Sequence, residues 1–326
     1  MAEPRVVSFS EADTAKQCPL KHQLSYVERW TSDPEVDSPL AKGTAWHLAH
    51  EWHYRTIKQH QDRADELGEQ VDERAVETDC RATVARVIDT RIAPQSSELA
   101  DLIDWMYQGH IHHYGIDPQW RVLAVEHAAQ CRLPTSTGRP SGFVLKMKID
   151  LIVAEGRGVR PPIWIVDAKS CRNLPKGKDH DFDDQFGLYT WGMRRLGKSV
   201  FGQIHSAART ERLVKEAKAW RAENVPPEPY VPGEVQPMDQ RFKRSRMYRT
   251  DVELDTLAVE MWQVMRTRYD QQRAATRAGI DSPRHTNPDT CSWRCPYTEP
   301  CLAGRKGVDM RQYLRDKGFQ QDFTRN

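Results

Sequence analysis

The sequence predicts an α/β fold, one domain over residues 1–326 with a mixed, partly antiparallel central sheet flanked by helices. Three observations point there. Hydrophobic residues make up 38% and charged residues 29% of the 326-residue chain, a balance that belongs to globular rather than disordered proteins. β-Branched apolar runs gather in the middle of the chain, separated by turns bearing Gly and Pro. Polar segments with helical spacing lie before and after them.

Taken in order, SFSEADTAKQCPLKHQLSY opens with a helix, Ser10 as its cap and Asp13 at the reach-back position. Residues 43–60, GTAWHLAHEWHYRTIKQH, form a second helix. From about 60 to 118 charges recur at helical spacing with no strand signal, so this stretch is expected as a helical insertion decorating the domain. VLAVEHAAQCRL (122–133), GFVLKMKIDLIVAE (142–155) and PIWIVDAKS (162–170) read as strands of an antiparallel hairpin or meander. DDQFGLYTWGMRRLG (183–197) is a short amphipathic helix that Gly197 ends. SVFGQIHSAAR reads as a further strand, and the proline-rich 225–237 as a loop or linker. RFKRSRMYR (241–249) returns as a strand, 252–278 is a long helix, and a cysteine-bearing segment follows at about 285–305.

Bulk charge decides little. With 48 Lys and Arg against 46 Asp and Glu, the net charge of +2 neither demands nor forbids nucleic acid, so any binding must come from local patches. No run of about 18 apolar residues exists, which excludes a transmembrane helix. The opening MAEPRVVSFSEAD lacks a secretory apolar stretch, so a reducing, cytoplasmic location is expected. HEWHY (50–54) lacks the spacing of a zinc protease, and the absence of a Walker A loop argues against a built-in helicase motor. The histidines of HIHHYG (110–115) read as helix-end residues rather than ligands.

Two constellations carry chemistry. The first is Asp150, in KMKIDLIV, with Asp167 and Lys169 in WIVDAKS. Residues i and i+2 share a strand face, so Asp167 and Lys169 point the same way, and Asp150 on a neighbouring strand can join them. Two carboxylates with the Ala168 carbonyl make a hard-oxygen site suited to Mg²⁺ or Mn²⁺. The plain alternative is that these charges merely end two strands at the surface, but both acids adjoin apolar runs, where solvated charge is less expected. His47, in GTAWH, is a candidate additional ligand. Gln185 and Tyr189 are four apart on one helix and project together. The second constellation is Cys18 with Cys291, Cys295 and Cys301, while Cys80, Cys131 and Cys171 stand alone. Four thiolates can hold zinc or a 4Fe–4S cluster, and spacing alone leaves both open. Lesser signals are Glu126 on the strand before Asp150 and the basic Arg241, Lys243, Arg244 and Arg246. The latter, interleaved with aromatics in RFKRSRMYR (241–249), suit phosphate contact and base stacking or a charged edge strand equally well.

In this order the pieces resemble the RecB-like branch of the PD-(D/E)xK nucleases, over residues 8 to 301. Ser8, Ser10, Cys18–Pro19, Gly43 with His47, Asp150, Asp167 with Lys169, and Gln185 with Tyr189 match that pattern in sequence order. Met147 departs from it, standing where the family usually has Gly. The resemblance implies a restriction-endonuclease-like core, and His47, Asp150, Asp167 and Ala168 as ligands of a catalytic Mg²⁺ or Mn²⁺. It implies that Lys169 assists the attacking water, and that Gln185 and Tyr189 support the site or the strand. Glu126 would be an acid behind the ligands. The one-plus-three cysteines resemble the iron–sulfur seam of the AddB-type and CRISPR-associated members, which implies a 4Fe–4S cluster with zinc second. The three residues between Cys291 and Cys295, where those members more often have two, are a departure. The implied function is exonuclease action on single-stranded DNA ends in recombination, repair or replication, in a stand-alone, phage-type form with possible partner proteins of those processes. The rivals are a non-catalytic iron–sulfur or zinc DNA-binding protein and a site-specific endonuclease.

Overall fold

The computed structural model describes residues 3–32, 38–156, 158–176, 183–211, 238–291 and 295–324. The expected 225–237 linker and the residues between Cys291 and Cys295 lie outside these. In chain order the elements are β1 (Arg5–Ser8), α1 (Phe9–Gln17), α2 (Pro19–His22), β2 (Trp30–Thr31), α3 (Pro39–Leu67), α4 (Glu73–Val87) and α5 (Ser97–Tyr114). There follow β3 (Trp120–Pro134), β4 (Pro140–Glu155), β5 (Ile163–Cys171), α6 (Asp184–Arg195), β6 (Val200–Arg209) and β7 (Phe242–Met247). The last are α7 (Asp251–Arg277), α8 (Pro288–Cys291), α9 (Thr298–Arg305), α10 (Met310–Asp316) and β8 (Gln320–Gln321). Two compact units result, one of Met1–Asp33, Gln130–Met147 and Asp251–Asn326, the other of Pro34–Ala129 and Lys148–Thr250. Among the described residues no helix is long and apolar enough to cross a membrane.

The second unit holds most of the sheet. β4 and β5 are antiparallel, with Leu151 opposite Val166. β5 and β6 run parallel, with Asp167 beside His205, and β6 and β7 are antiparallel. β3 pairs with β4. The sheet is therefore mixed, as the strand signals predict. Its core forms where Leu151, Val153, Trp164, Val166 and Ile204 meet Tyr54 and Ile57 of α3 and Val76 and Cys80 of α4. Each such buried side chain is worth about 1.5–3 kcal/mol of transfer free energy.

The expected helical decoration is corrected by this packing. Val84, Leu99, Ile103, Met106 and Tyr107 of α4 and α5 are fully buried, in a cluster with Trp46 and Ala49 of α3 and Ala168 and Ala208 of the sheet. Surface charges mask this layer in the sequence, because only about one stripe of each helix faces inward.

Inside it lies a polar knot. Arg244 of β7 is ion-paired with Asp117 through both nitrogens and donates to the Tyr54 hydroxyl, which in turn donates to Asp117 at 2.7 Å. Its guanidinium lies between the Tyr114 and Trp120 rings, 3.6 and 4.2 Å from their centroids. His50, His53 and His110 pack ring to ring beside it, with centroids 4.7 and 5.4 Å apart for His50–His110 and His53–His110. Burial holds all three imidazoles below their ordinary range, His53 at about 4.

In the first unit β1 lies parallel to β4 at Phe143–Lys146, and β2 pairs with β8. The cap of α1 is Ser8, not Ser10: its Oγ accepts from the Glu11 amide at 3.1 Å. Ser8 and Glu11 form the S-x-x-E spacing that the sequence also contains, and the strand β1 ending at Ser8 leaves that residue in the extended conformation a cap needs. The Glu11 carboxylate accepts from Tyr269 of α7 at 2.5 Å and faces His22 at 3.1 Å. Arg268 donates to the Ala15 carbonyl. α7 is thus fastened along α1.

Candidate active site

The register explains why the second unit opens where it does. The β4–β5 ladder runs from Ala154↔Ile163 to Leu151↔Val166 and stops. One step further, Asp150 and Asp167 would face each other, and two carboxylates cannot share that place without a compensating charge. β5 continues its pairing with β6 to Cys171, so it is β4 that parts from β5 here. The freed Ala168 amide donates to Asp150 Oδ2 at 3.1 Å. α3 brings His47 to the same oxygen, with Nδ1 at 3.1 Å. On the other side, Lys169 Nζ lies 3.1 and 3.0 Å from the two Asp167 oxygens and 3.4 Å from Gln185 Oε1. Gln185 sits in the first turn of α6, whose cap Asp183 accepts from its amide. Tyr189, one turn on, is buried and its hydroxyl engages Gln185. The predicted set therefore comes together.

The charges are uneven. Burial pushes Asp167 up to about 6, helped by the Asp150 charge and opposed by Lys169. Burial acts on Asp150 too, yet the His47 contact, the Ala168 amide and Lys169 hold it below the usual carboxylate range. His47 is raised, the Asp150 carboxylate outweighing burial, and Lys169 is raised because Asp167 does the same for it. Asp150 thus stays ionised while Asp167 can carry a proton, a division typical of sites that handle protons or metals.

Beside Asp150 is a void of about 10 Å³ lined by His47, Glu51, Glu126, Asp150 and Ala168, with His50, Tyr54, Leu151 and Val166 closing it. That is about the space of one water-sized sphere. As placed, no three His, Cys, Asp or Glu side chains among the described residues converge on one point. The donors are instead paired with one another, His47 with Asp150 and Lys169 with Asp167. The donor chemistry of two carboxylates, an imidazole and the Ala168 backbone beside an ion-sized void fits a hard divalent cation.

Two neighbours went unnoticed in the sequence. Glu51 is four residues after His47, so it shares that helix face, a signal the spacing does carry. Lys148, two before Asp150, is ion-paired with Glu126. Glu126 itself adopts φ 53°, a strained conformation for a non-glycine residue, and its carboxylate is turned inward.

The basic strand departs from expectation. Arg241 is 3% exposed, donates to the Trp105 carbonyl at 2.8 Å and stacks 4.0 Å from the Trp105 ring centroid. Gly109 makes room for it, since a Cβ there would lie 2.3 Å from the guanidinium. Arg244 is consumed by Asp117, and Lys243 donates to the Pro175 carbonyl. The ion pair with Asp117 withdraws Arg244 from any phosphate, and burial against Trp105 withdraws Arg241. Arg246 is half exposed and ion-paired with Glu155.

In the first unit all four predicted cysteines line one cavity of about 500 Å³. Cys18 is extended at the joint of α1 and α2, where Pro19 at the first helical position of α2 breaks one helix and starts the next. Cys295 and Cys301 are raised by burial and are neutral thiols. Lys16, Lys21, Arg284 and Arg305 share the walls. As placed, no three of these thiols are grouped closely enough to hold a metal ion. Four thiols around one cavity are the donor chemistry of zinc and of an iron–sulfur cluster alike.

No curated protein sequence matches the chain significantly. A solved structure titled "Crystal structure of SSO0001" aligns over 77% of this chain and 84% of its own at 13% identity, with a TM-score of 0.27, too loose a likeness to carry an argument. The family model described as "PD-(D/E)XK nuclease superfamily" matches residues 6–302, which includes both constellations. With that match over nearly the whole length, the chain belongs to the PD-(D/E)XK nuclease superfamily.

Proposed function

We propose that the protein is a divalent-metal-dependent deoxyribonuclease acting on single-stranded DNA ends, with a 4Fe–4S cluster in the cysteine cavity. The observation that carries the nuclease reading is the parting of β4 from β5 at Asp150 and Asp167, with Lys169 and His47 arranged around the gap. Mg²⁺ or Mn²⁺ held by Asp150, Asp167, His47 and the Ala168 carbonyl would supply Lewis-acid polarisation of the phosphodiester and neutralise its charge. The chain's own groups do the rest. The Lys169 ammonium, steadied by Gln185, is aimed to orient the attacking water and to stabilise charge that develops on phosphorus oxygens. Tyr189 fixes Gln185. Protons on Asp167 and His47 must leave before either can act as a ligand, so metal affinity falls as pH drops below about 6.

The cluster reading is supported by four thiols from opposite ends of the sequence around one cavity, and by the one-plus-three spacing of Cys18 with Cys291, Cys295 and Cys301. A pure DNA binder would have no use for the Asp150, Asp167 and Lys169 set. The test is direct. End-labelled single- and double-stranded DNA is incubated with the protein in Mn²⁺ and in EDTA, and metal content is measured on anaerobically purified protein. Metal-dependent degradation of single strands from their ends, with about four irons per chain, is the expected result. No cleavage under any metal condition would remove the nuclease reading, and stoichiometric zinc without iron would remove the cluster.

A further inference from the structure

The interior of the second unit consumes Arg241 and Arg244, yet the end of its sheet leaves two aromatic rings in water. Phe201 and Tyr248 are 52% and 58% exposed. Their centroids are 5.4 Å apart at an interplanar angle of 82°. Both pack edge-on against buried Trp164, at 5.3 and 5.5 Å. Gly202 makes this possible. A Cβ there would lie 2.6 Å from the Met247 carbonyl oxygen and 2.9 Å from the Trp164 ring, so a larger residue would drive the rings apart. The rings are therefore held in place with part of each surface outward, which is how a recognition surface is built rather than how a core is finished.

Cations surround them. Arg246 lies over the Trp164 ring, 5.0 Å from its centroid. Arg194 donates to the Val200 and Phe201 carbonyls. Arg195 and Lys198 are exposed at the end of α6, and Arg249 follows Tyr248. Aromatic faces among lysine and arginine match a polymer with stackable bases and a negative backbone. α6 links this surface to the site. Gln185 lies beside Lys169, and Arg194, nine residues later on the same helix, donates to the Phe201 carbonyl, roughly 14 Å away at the helical rise.

We propose that Phe201 and Tyr248 form a base-stacking platform for single-stranded nucleic acid, a few nucleotides from the bond cut at the Asp150–Asp167–Lys169 site. The proposal rests on the nuclease reading for its position and goes beyond it in naming where the uncut strand is held. Stacking of this kind reads no sequence, because every base offers a π face.

The test uses the full chain and two double variants, Phe201→Leu with Tyr248→Leu, which keeps an apolar cover on Trp164, and Phe201→Ala with Tyr248→Ala. Binding of fluorescent oligothymidylate of about ten nucleotides is measured in EDTA over a salt series. Mn²⁺-dependent hydrolysis of bis(p-nitrophenyl) phosphate, too small to reach the platform from the site, is measured in parallel. The expected result is roughly tenfold or greater weakening in both variants, with the salt slope kept and the small diester cleaved at the wild-type rate. Should the alanine pair fail to fold, the leucine pair decides. Variants that bind the oligonucleotide as tightly as wild type would overturn the platform and leave the patch to a protein partner, while intact diester hydrolysis would still uphold the nuclease. Weakened binding in a protein that hydrolyses no diester would keep the platform and sink the catalytic reading instead.

Discussion

In the second unit, the candidate metal ligands sit on neighbouring strands and one helix, and each charge already has an answer: His47 and the Ala168 amide for Asp150, Lys169 for Asp167. In the first unit, four thiols from opposite ends of the sequence line a cavity of about 500 Å³. The difference follows from what each group costs when buried. An ionised carboxylate inside a protein must be paired whether or not metal is bound, whereas a neutral thiol can line a void at little cost. The carboxylate site therefore holds its own shape without metal. If the proposed cluster joins the four cysteines, losing it should harm the first unit more than removing metal harms the second.

The largest expected effect probes that dependence. If a shared group closes the chain from Cys18 to the 291–301 segment, chain entropy assigns the closure about 5–6 kcal/mol, comparable with the net stability of a domain. Cys18→Ser should then lose iron and yield insoluble or protease-sensitive protein, checked by metal analysis and limited proteolysis. A variant as stable and as metal-loaded as wild type would erase the contrast. Next comes the second unit's own support. Arg244→Ala leaves Asp117 buried without its partner and should cost about 3 kcal/mol or more in urea denaturation. A change below 1 kcal/mol, on the order of an exposed pair, would mean that the knot is not structural.

Acid should also separate the two regions. His50, His53 and His110 are held neutral by burial, with folded-state values below the unfolded value of 6.5. Between 6.5 and about 4 the unfolded chain binds protons that the folded chain refuses, so stability falls as pH falls. Each imidazole contributes about 1.4 kcal/mol per pH unit in that window, and amide-exchange protection in α3 and α5 should decline there. Flat protection from pH 6.5 to 4 would contradict the buried neutral cluster. The smallest effect is local. Ser8→Ala removes the cap of α1 and should cost about 1 kcal/mol, whereas Ser10→Ala, one residue into the helix, should be nearly silent. The reverse order would restore Ser10 as the cap.

Much of this was legible in the sequence because strands and ligands there obey short-range rules. The period of two placed Asp167 and Lys169 on one face, and the helical period paired Gln185 with Tyr189. What stayed hidden was of longer range. Nothing local in RFKRSRMYR shows that Arg244 meets Asp117, which lies 127 positions earlier, so a buried charge network read as a surface strip. The aromatics of RFKRSRMYR read as stacking residues in the sequence, but that Tyr248 is exposed and Phe242 buried is a property of the sheet and not of the residues. The helical insertion looked polar because its buried stripe is a minority of each helix. The cysteines marked their own cavity, since three thiols crowded into eleven residues read as ligands before they read as packing.

The central claim is that Asp150, Asp167 and Lys169 cut DNA with a divalent metal. Single-turnover cleavage of a labelled single strand in Mn²⁺, by wild type and by Asp150→Ala, Asp167→Ala and Lys169→Ala, tests it most directly, with DNA binding in EDTA and thermal melting as controls. Each variant should bind and fold like wild type and cleave on the order of a thousandfold more slowly, about 4 kcal/mol of lost transition-state stabilisation. Wild-type cleavage by any of the three would contradict the account.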